Sequence, residues 1–293
     1  MNHHTTPKDV FVLSGGAARG AVQVGMMQTL VEAGIVPDAL VGTSVGALNA
    51  AFMGWQPGTD RVHELAEAWL RLTTRDIFPG GSWSRLAHLA QRHAYLFSSG
   101  ALASLIDSWI PVDRLEDLTV PVRVTTTPLA SCAAVYHDHG PIAQLLLASA
   151  AVPGVFAPVE LRVADGAPTP HVDGGVADLV PVAGAVDLAP TRVFVLDATV
   201  PARLPSGART PIEILVASLG VAMRVRPLPD LGPDVVVHRL TTADLGTSMT
   251  DFTRTADHLA LGRRAAAELV EHHLDTPVAV RGHRFWERFG RAA

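Results

Sequence analysis

Short apolar runs alternate with longer segments of helical periodicity through the first third of the chain. Val10 to Leu13 is an apolar run that ends in small residues, which is typical of a buried strand entering a tight turn. From Ala18 to Ala33 apolar residues recur at helical spacing, and Gly34 follows as a stop signal. A second strand at 39–43 and a second helix at 45–53 repeat the pattern. Two strand–helix units so close together predict a parallel sheet with crossover helices.

The rest of the chain predicts further strands and helices, with no linker or internal repeat. Helical periodicity dominates 60–118, so this stretch is expected to be a helical insertion and a candidate lid. Strands are predicted at 120–127, 133–136, 159–163, 171–173, 193–196 and 235–237. Helices are predicted at 61–72, 83–95, 100–110, 141–150, 211–224 and 251–272. We therefore expect one domain over 1–293, with a motif-bearing core at about 9–200 and C-terminal helices in 201–293 that complete it.

Large aromatic side chains are concentrated in the helical stretch. They are Trp69, Trp83, Tyr95, Phe97 and Trp109. Half or more of them are expected in the core, because large aromatic residues are mostly buried. The rest would line an apolar channel or lie on an apolar surface.

Composition and charge exclude several classes of protein. The 293 residues are 48% hydrophobic and 17% charged, which fits a folded chain with a large core rather than a disordered one. The net charge of −5 provides no basic field for nucleic acid. The single cysteine, Cys132, excludes an intrachain disulfide and a multi-cysteine metal cluster. No acidic loop has EF-hand spacing, and we expect neither a metal nor a cofactor.

The chain shows no recognisable targeting segment. The first ten residues lack the basic and apolar regions of a signal peptide. The longest apolar stretch, 214–223, is about half the ~20 residues that a membrane-spanning helix needs. A cytoplasmic location is therefore expected. The segment 281–291 interleaves Phe285, Trp286 and Phe289 with arginines, which suits either peripheral contact with a membrane or docking on the domain.

The strongest candidate for chemistry is Ser44, which lies in the sequence Gly42-Thr43-Ser44-Val45-Gly46 between a predicted strand and helix. A G-x-S-x-G segment in this setting places a nucleophilic serine on a sharp, strained turn, and the glycines on either side let that turn pack. The helix N-terminus helps to stabilise negative charge there. A chance match in a chain rich in Gly and Ala is the alternative, and the strand–turn–helix setting favours the nucleophile.

A second glycine-rich turn, 14–20, follows the first strand and opens the first helix. Its consecutive small residues can direct backbone N–H groups towards an anion. A dinucleotide fingerprint would need glycine at Ala17 and an acidic residue after the second strand, and a P-loop would need Gly-Lys-Ser/Thr; neither is present. An oxyanion hole beside Ser44 remains, because adjacent parallel strands place their C-terminal turns side by side. A glycine turn that only packs the helix is the structural alternative.

A nucleophilic serine needs a base, and the histidines offer no compelling one. Three of them are candidates, although each is better explained as a solvated residue: His137, His139 and His238. Asp173 is the better candidate, because it ends a predicted strand and is followed by Gly174 and Gly175, which let a second group approach the carboxylate closely. An aspartate is a weak base in water, so we expect Asp173 to be partly desolvated in an apolar pocket.

Four segments, in order, resemble the patatin-like phospholipase family. They are the glycine-rich turn 15–20, GTSVG at 42–46, ASAAVPGVFAP at 148–158 and DGG at 173–175. The third matches that family's A-S-x-A-x-P-x-x-F-x-P signature at every fixed position. The resemblance covers about 9–200, with a closing helix near 251–270. It implies a three-layer α/β/α fold with a central, mostly parallel sheet.

The resemblance also implies an activity. It indicates a lipid acyl hydrolase of the phospholipase A, lysophospholipase or esterase type, which cleaves carboxylic esters through a Ser44–Asp173 dyad and an acyl-enzyme. Three backbone N–H groups would form the oxyanion hole, those of Gly15, Gly16 and Ala17. Arg19 would support that loop or bind a substrate phosphate. A transacylase with the same dyad and a non-catalytic lipid-binding or regulatory protein are the alternatives. The implied partner is a lipid or ester substrate, with no cofactor and with the oligomeric state open.

Two positions depart from the family pattern. The glycine-rich turn of the family usually reads G-G-G-x-R/K-G, and Ala17 stands where the third glycine would be. Its N–H is retained, but a positive φ is strained for alanine. The family also commonly has Asn-x-Pro after the DGG motif, where this chain has Leu179-Val180-Pro181. Local packing around 179–181 is therefore expected to differ.

Overall fold

Short, largely apolar strands alternate with helices in the computed structural model, which describes residues 8–78, 97–131, 133–162, 166–199, 218, 220–223, 227–248 and 250–272. The strands in these ranges are β1 (Asp9–Leu13), β2 (Ala39–Thr43), β3 (Val122–Pro128), β4 (Val135–His137), β5 (Val159–Leu161), β6 (Thr169–Asp173), β7 (Arg192–Leu196) and β8 (Val236–Leu240). The α-helices with described bounds are α1 (Gly20–Glu32), α2 (Val45–Gly54), α3 (Thr59–Arg71), α4 (Thr74–Ile77), α5 (Gly100–Trp109), α6 (Ile142–Ser149) and α7 (Thr255–His272). No described helix is long and apolar enough to cross a bilayer.

The strands form one mixed sheet in the order β5-β6-β3-β2-β1-β7-β8, with β4 paired to β3. Five neighbouring strands are parallel to one another: β3, β2, β1, β7 and β8. The strands β4, β5 and β6 pair antiparallel at the other end. The parallel part places the ends of β1 and β2 next to each other, which brings the two glycine-rich turns together.

Helices cover one face of the sheet, and a 3₁₀ helix at Val182–Leu188 packs against the other. Successive strand residues point to opposite faces. In β1, Phe11 and Leu13 face the main hydrophobic cluster with α1, α2, α6 and α7, whereas Val10 and Val12 face the smaller cluster. These three layers form the α/β/α fold with a central, mostly parallel sheet that the sequence predicts.

Most of the predicted elements are confirmed to within a few residues. The strands predicted at 159–163 and 171–173 occur as the antiparallel pair β5 and β6. The periodicity predicts neither α4 nor the 3₁₀ helix at Val182–Leu188, because segments of four and seven residues are too short to show a clear helical period. The predicted helix at 83–95, most of 211–224, and the segment 281–291 lie outside the described residues.

The helix α3 belongs to the main core, although the sequence predicts an insertion at 60–118. Trp69 is only 2% exposed, and its indole N–H donates to Asn49 Oδ1 on α2 at 2.9 Å. Val62 is fully buried on the same helix. Phe97 and Trp109 are half-buried instead and line a cavity. The first helix of the 60–118 stretch therefore has a structural role in the main layer.

The helices α1 and α7 cross in close contact through two glycines. A Cβ atom on Gly25 would lie 2.1 Å from the Leu259 carbonyl oxygen, and one on Gly262 would lie 2.0 Å from the Val22 oxygen. No side chain fits at these distances, so only glycine lets the backbones approach so closely. The crossing holds α7 on the helical layer, in the position of the expected closing helix.

We expect Gly25→Ala or Gly262→Ala to lower the free energy of unfolding by about 1–3 kcal/mol, because the added methyl group must push α1 and α7 apart. Urea unfolding followed by circular dichroism measures this change. Gly58, before α3, is the matched control, since a Cβ there meets nothing within 4 Å. A loss at Gly25 or Gly262 no larger than that at Gly58 would contradict the close contact.

Candidate active site

Ser44 lies on a strained turn between β2 and α2, the setting that its G-x-S-x-G segment predicts. Its φ and ψ are 56° and −124°, a combination that residues with a Cβ atom rarely adopt. The turn is tight, since a Cβ on Gly42 would lie 2.4 Å from the Gly46 carbonyl oxygen. This geometry turns the serine side chain towards a cavity beside the sheet.

Asp173 reaches the same level of the sheet from the other side of β3. It is the last residue of β6 and is paired with Thr126. Thr43, which precedes Ser44, is paired with the neighbouring residue Thr125. The strand β3 therefore lies between the two strands that carry Ser44 and Asp173. Because β6 ends at this level, two groups that are distant in sequence meet at one edge of the site.

The Asp173 carboxyl group is buried, with 1% of the residue exposed. Burial raises its pKa to about 6, and hydrogen bonding to the Ser44 side chain and to the Gly175 N–H opposes the rise. The Gly175 N–H donates to Asp173 Oδ1 at 2.7 Å. The expected desolvation of Asp173 is therefore present. A carboxylate with this pKa can both accept and return a proton near neutral pH.

Ser149 contacts the backbone of the serine turn. Its hydroxyl oxygen accepts a hydrogen bond from the Ser44 N–H at 2.9 Å and donates to the Thr125 carbonyl oxygen at 2.7 Å. Ser149 is fully buried at the end of α6. The sequence identifies this serine only as part of a motif. No local signal connects it to Ser44, which lies 105 residues earlier in the chain.

The glycine-rich turn after β1 lies beside Ser44, as the parallel pairing of β1 and β2 predicts. A Cβ on Gly15 would lie 3.5 Å from Ser44 Cβ. The Gly15 N–H already donates to the Leu179 carbonyl oxygen at 2.9 Å. Gly15 therefore has no free donor for an oxyanion, which corrects its expected role. The N–H groups of Gly16 and Ala17 make no hydrogen bond within the described part of the chain.

Leu179 fills the space where the family commonly has an asparagine. Its Cδ1 lies 2.6 Å from the position of a Cβ on Gly15 and 2.7 Å from that of a Cβ on Gly175. The side chain therefore packs between the glycine-rich turn and the DGG motif. With its carbonyl oxygen bound to the Gly15 N–H, Leu179 joins these two loops by both packing and hydrogen bonding.

Arg19 connects the glycine-rich turn to the segments that follow β7 and β8. It is 4% exposed, and its Nε donates to the Ala198 carbonyl oxygen at 2.9 Å, while its Nη2 donates to Thr242 Oγ1 at 3.0 Å. Burial lowers the pKa of its guanidinium group, and the nearby carboxylates of Asp244 and Asp197 oppose this change. Of the two expected roles, support of the loop is the one that matches these contacts.

The three candidate histidines have other partners. His137 is hydrogen bonded to Thr126 Oγ1 at 2.8 Å, and its pKa is lowered to about 4, mainly by burial. His139 is paired with Asp138 at the surface, and the ring of His238 stacks on Phe194. None of these contacts involves Ser44.

An apolar cavity of about 180 Å³ adjoins Ser44. Ala17 and Val45 line it next to the serine, and two groups of aromatic rings form much of its wall. The aromatic residues are Trp69, Trp109 and Phe252 in one group, and Phe78, Phe97 and Phe156 in the other. No described residue that lines the cavity is charged. The cavity therefore suits an uncharged, apolar group next to the Ser44 hydroxyl.

These features define an α/β protein with a serine on a strand–helix turn, a buried aspartate beside it and an adjoining apolar cavity. The family model described as patatin-like phospholipase matches residues 11–186, which is more than half of the chain. The chain therefore belongs to the patatin-like phospholipase family, as its four motifs indicate.

Known proteins of this kind match part of the chain. It is 28% identical over 148 residues to rat patatin-like phospholipase domain-containing protein 7 (Rattus norvegicus), covering 50% of this chain and 10% of that protein. It is 28% identical over 179 residues to an NTE family protein of Mycobacterium tuberculosis, covering 61% and 46%. The chain thus spans less than half of either relative. Among solved structures, VipD of Legionella pneumophila aligns with a TM-score of 0.46 at 15% identity, covering 92% of this chain and 67% of VipD.

Ala17 has a φ of 50°, in the left-handed region that glycine adopts without strain. We expect Ala17→Gly to raise the free energy of unfolding by about 1 kcal/mol or less. The relief of left-handed strain, about 1–2 kcal/mol, exceeds the entropy of about 0.4–1 kcal/mol that glycine adds to the unfolded chain.

Urea unfolding measures this change, and Ala18 is the matched control because its φ is not positive. Ala18→Gly is expected to lower stability by about 1 kcal/mol. Equal destabilisation by the two substitutions would show that Ala17 is not strained.

Proposed function

We propose that this protein is a lipid acyl hydrolase that cleaves carboxylic esters, with Ser44 as the nucleophile and Asp173 as its base. One observation carries the proposal: a serine on a strained turn lines an apolar cavity, and its side chain is hydrogen bonded to a buried aspartate whose pKa is about 6. Membership of the patatin-like phospholipase family supports ester hydrolysis as the type of reaction.

In the first half of the reaction, Ser44 Oγ attacks the ester carbonyl carbon and its proton passes to the Asp173 carboxylate. The N–H groups of Gly16 and Ala17 stabilise the negative charge on the carbonyl oxygen. The bond between the carbonyl carbon and the alcohol oxygen then breaks. Asp173 returns the proton to the departing alcohol, and the acyl group remains on Ser44.

In the second half, water attacks the acyl-enzyme while Asp173 accepts one of its protons. The bond from the acyl carbon to Ser44 Oγ breaks, and the proton passes from Asp173 back to the serine. The products are a carboxylic acid, an alcohol and the regenerated enzyme. Asp173 must be ionised at the start of each half, so the pKa near 6 makes the base effective at neutral pH.

We expect Ser44→Ala to lower kcat by at least about 10³-fold and Asp173→Asn by about 10²–10⁴-fold, because each removes one partner of the proton transfer. In the wild type, kcat/KM is expected to fall as the pH decreases through about 6, since protonated Asp173 cannot act as a base. Fixed-time hydrolysis of p-nitrophenyl hexanoate between pH 4.5 and 8.5 measures both effects.

The exposed residues Ser104 and Asp187 provide the controls for these substitutions. Ser104→Ala and Asp187→Asn are expected to keep wild-type rates. Activity that survives in Asp173→Asn but is lost in Ser44→Ala would indicate a different base. An acid limb near pH 4 would contradict the raised pKa of Asp173.

The cavity beside Ser44 is proposed to hold the acyl chain of the substrate. For scale, an apolar cavity of about 150 Å³ admits benzene, so about 180 Å³ accommodates roughly six carbon atoms. Leu72, Leu105 and Trp109 form part of its wall. The same three side chains line an open groove on the other side of that wall. They therefore limit how far an acyl chain extends.

We expect Leu72→Ala to shift the chain-length preference towards longer esters, because a smaller side chain lets the acyl group pass into the groove. Each methylene that leaves water contributes about 0.8 kcal/mol, or about fourfold in kcat/KM. Two further buried methylenes would raise the ratio of dodecanoyl to hexanoyl hydrolysis by about 15-fold. A p-nitrophenyl ester series from acetyl to palmitoyl measures the ratio.

Leu70 is the matched control, since it is 54% exposed on α3, two residues before Leu72. Leu70→Ala is expected to leave the chain-length profile unchanged. An unchanged profile in Leu72→Ala would mean that this wall does not limit the acyl chain.

A further inference from the structure

We infer that the turn Ser149–Ala151 holds both members of the proposed dyad by their backbone N–H groups and so sets the distance between Ser44 Oγ and the Asp173 carboxylate. Ser149 is thereby a positioning residue. The inference rests on the proposed function, because it concerns the geometry of that dyad.

The first contact of the turn is with the nucleophile. The Ser44 N–H donates to Ser149 Oγ at 2.9 Å. Ser44 immediately precedes α2, so its N–H has no acceptor within that helix. Its backbone is also strained, with a φ of 56°. A strained residue keeps its conformation only where its surroundings determine it, and Ser149 supplies the acceptor for its N–H.

The second contact is with the base. The Asp173 N–H donates to the Ala151 carbonyl oxygen at 2.9 Å. Asp173 pairs with Thr126 at the end of β6, and Ala151 lies only two residues after Ser149 in the chain. One short turn therefore accepts a hydrogen bond from the backbone of each catalytic candidate.

The turn is itself held in place. Ser149 donates to the Thr125 carbonyl oxygen at 2.7 Å, and Thr125 is paired with Thr43 of β2. Leu146 and Ala148 of α6 are fully buried in the main core. Strand β3 therefore has two roles: it lies between the strands that carry Ser44 and Asp173, and it holds the turn Ser149–Ala151 that contacts both residues. A change at Ser149 would therefore alter the relative positions of the two side chains.

The test is the substitution Ser149→Ala in the full chain, with p-nitrophenyl hexanoate as substrate. A displacement of about 1 Å between reacting groups costs on the order of 10²-fold in rate, so we expect kcat to fall by about 10- to 100-fold. KM is expected to stay within about twofold, because the substitution leaves the residues of the aromatic wall intact. The acid limb of kcat/KM is expected to move to higher pH, since a displaced Ser44 no longer lowers the pKa of Asp173.

Two further variants separate positioning from folding. Ser149→Cys is nearly isosteric and keeps the core filled, but its sulfur is a weak acceptor, so it is expected to show the same loss of kcat and the same shift in pH. Thr191→Ala is the control. Thr191 immediately precedes β7, at the end of that strand away from Ser44, and its hydroxyl accepts a hydrogen bond from the Lys8 N–H at 2.6 Å. This variant is expected to keep the wild-type kcat and pH profile.

The positioning role is overturned if Ser149→Ala and Ser149→Cys both fold and both behave like the wild type. That outcome means a kcat within about twofold of the wild-type value and an acid limb within about 0.3 pH units of the wild-type position. It is also overturned if Thr191→Ala gives the same losses, since a general weakening of the fold would then explain them. Retention of activity in Ser44→Ala would instead overturn the proposed function itself, and the inference with it.

Discussion

The hydrogen bond from the Ser44 N–H to the Ser149 hydroxyl joins two distant segments on which the candidate site depends. A non-glycine residue in such a backbone conformation carries roughly 1–3 kcal/mol of strain, which the surrounding structure must outweigh. The strand β2 before the turn, the helix α2 after it and the end of α6 beside it are all buried. This packing keeps the serine in a conformation that an isolated peptide would not adopt.

Burial of Asp173 has an energetic consequence of its own. A pKa of about 6 instead of 3.8 corresponds to about 3 kcal/mol by which the folded structure disfavours the ionised carboxylate. Since the folded pKa lies above the unfolded one, protonation of Asp173 stabilises the fold, and this contribution is lost as the pH rises through about 6. The proposed base is therefore ionised at neutral pH at the expense of stability, which the large core and the close crossing of α1 and α7 offset.

Two positions near the candidate site carry residues other than those usual in the family. Ala17, where the family usually has glycine, has a left-handed backbone and lines the cavity beside Ser44. Leu179 replaces the usual asparagine and connects the glycine-rich turn to the DGG motif through its side chain and its carbonyl oxygen. The backbone carbonyl oxygen at position 179, which any residue there would supply, accepts the Gly15 N–H and leaves two rather than three candidate donors for an oxyanion.

The sequence by itself determined the features that depend on neighbouring residues: the strand–turn–helix around Ser44, the parallel unit of β1 and β2, the strand that ends at Asp173, and the family. The tertiary structure alone decided which groups meet across the sheet. Ser149 with Ser44, Ala151 with Asp173 and Leu179 with Gly15 are contacts between distant segments. Local periodicity and spacing carry no information on such contacts, because strand order and register bring these residues together only once the sheet has formed.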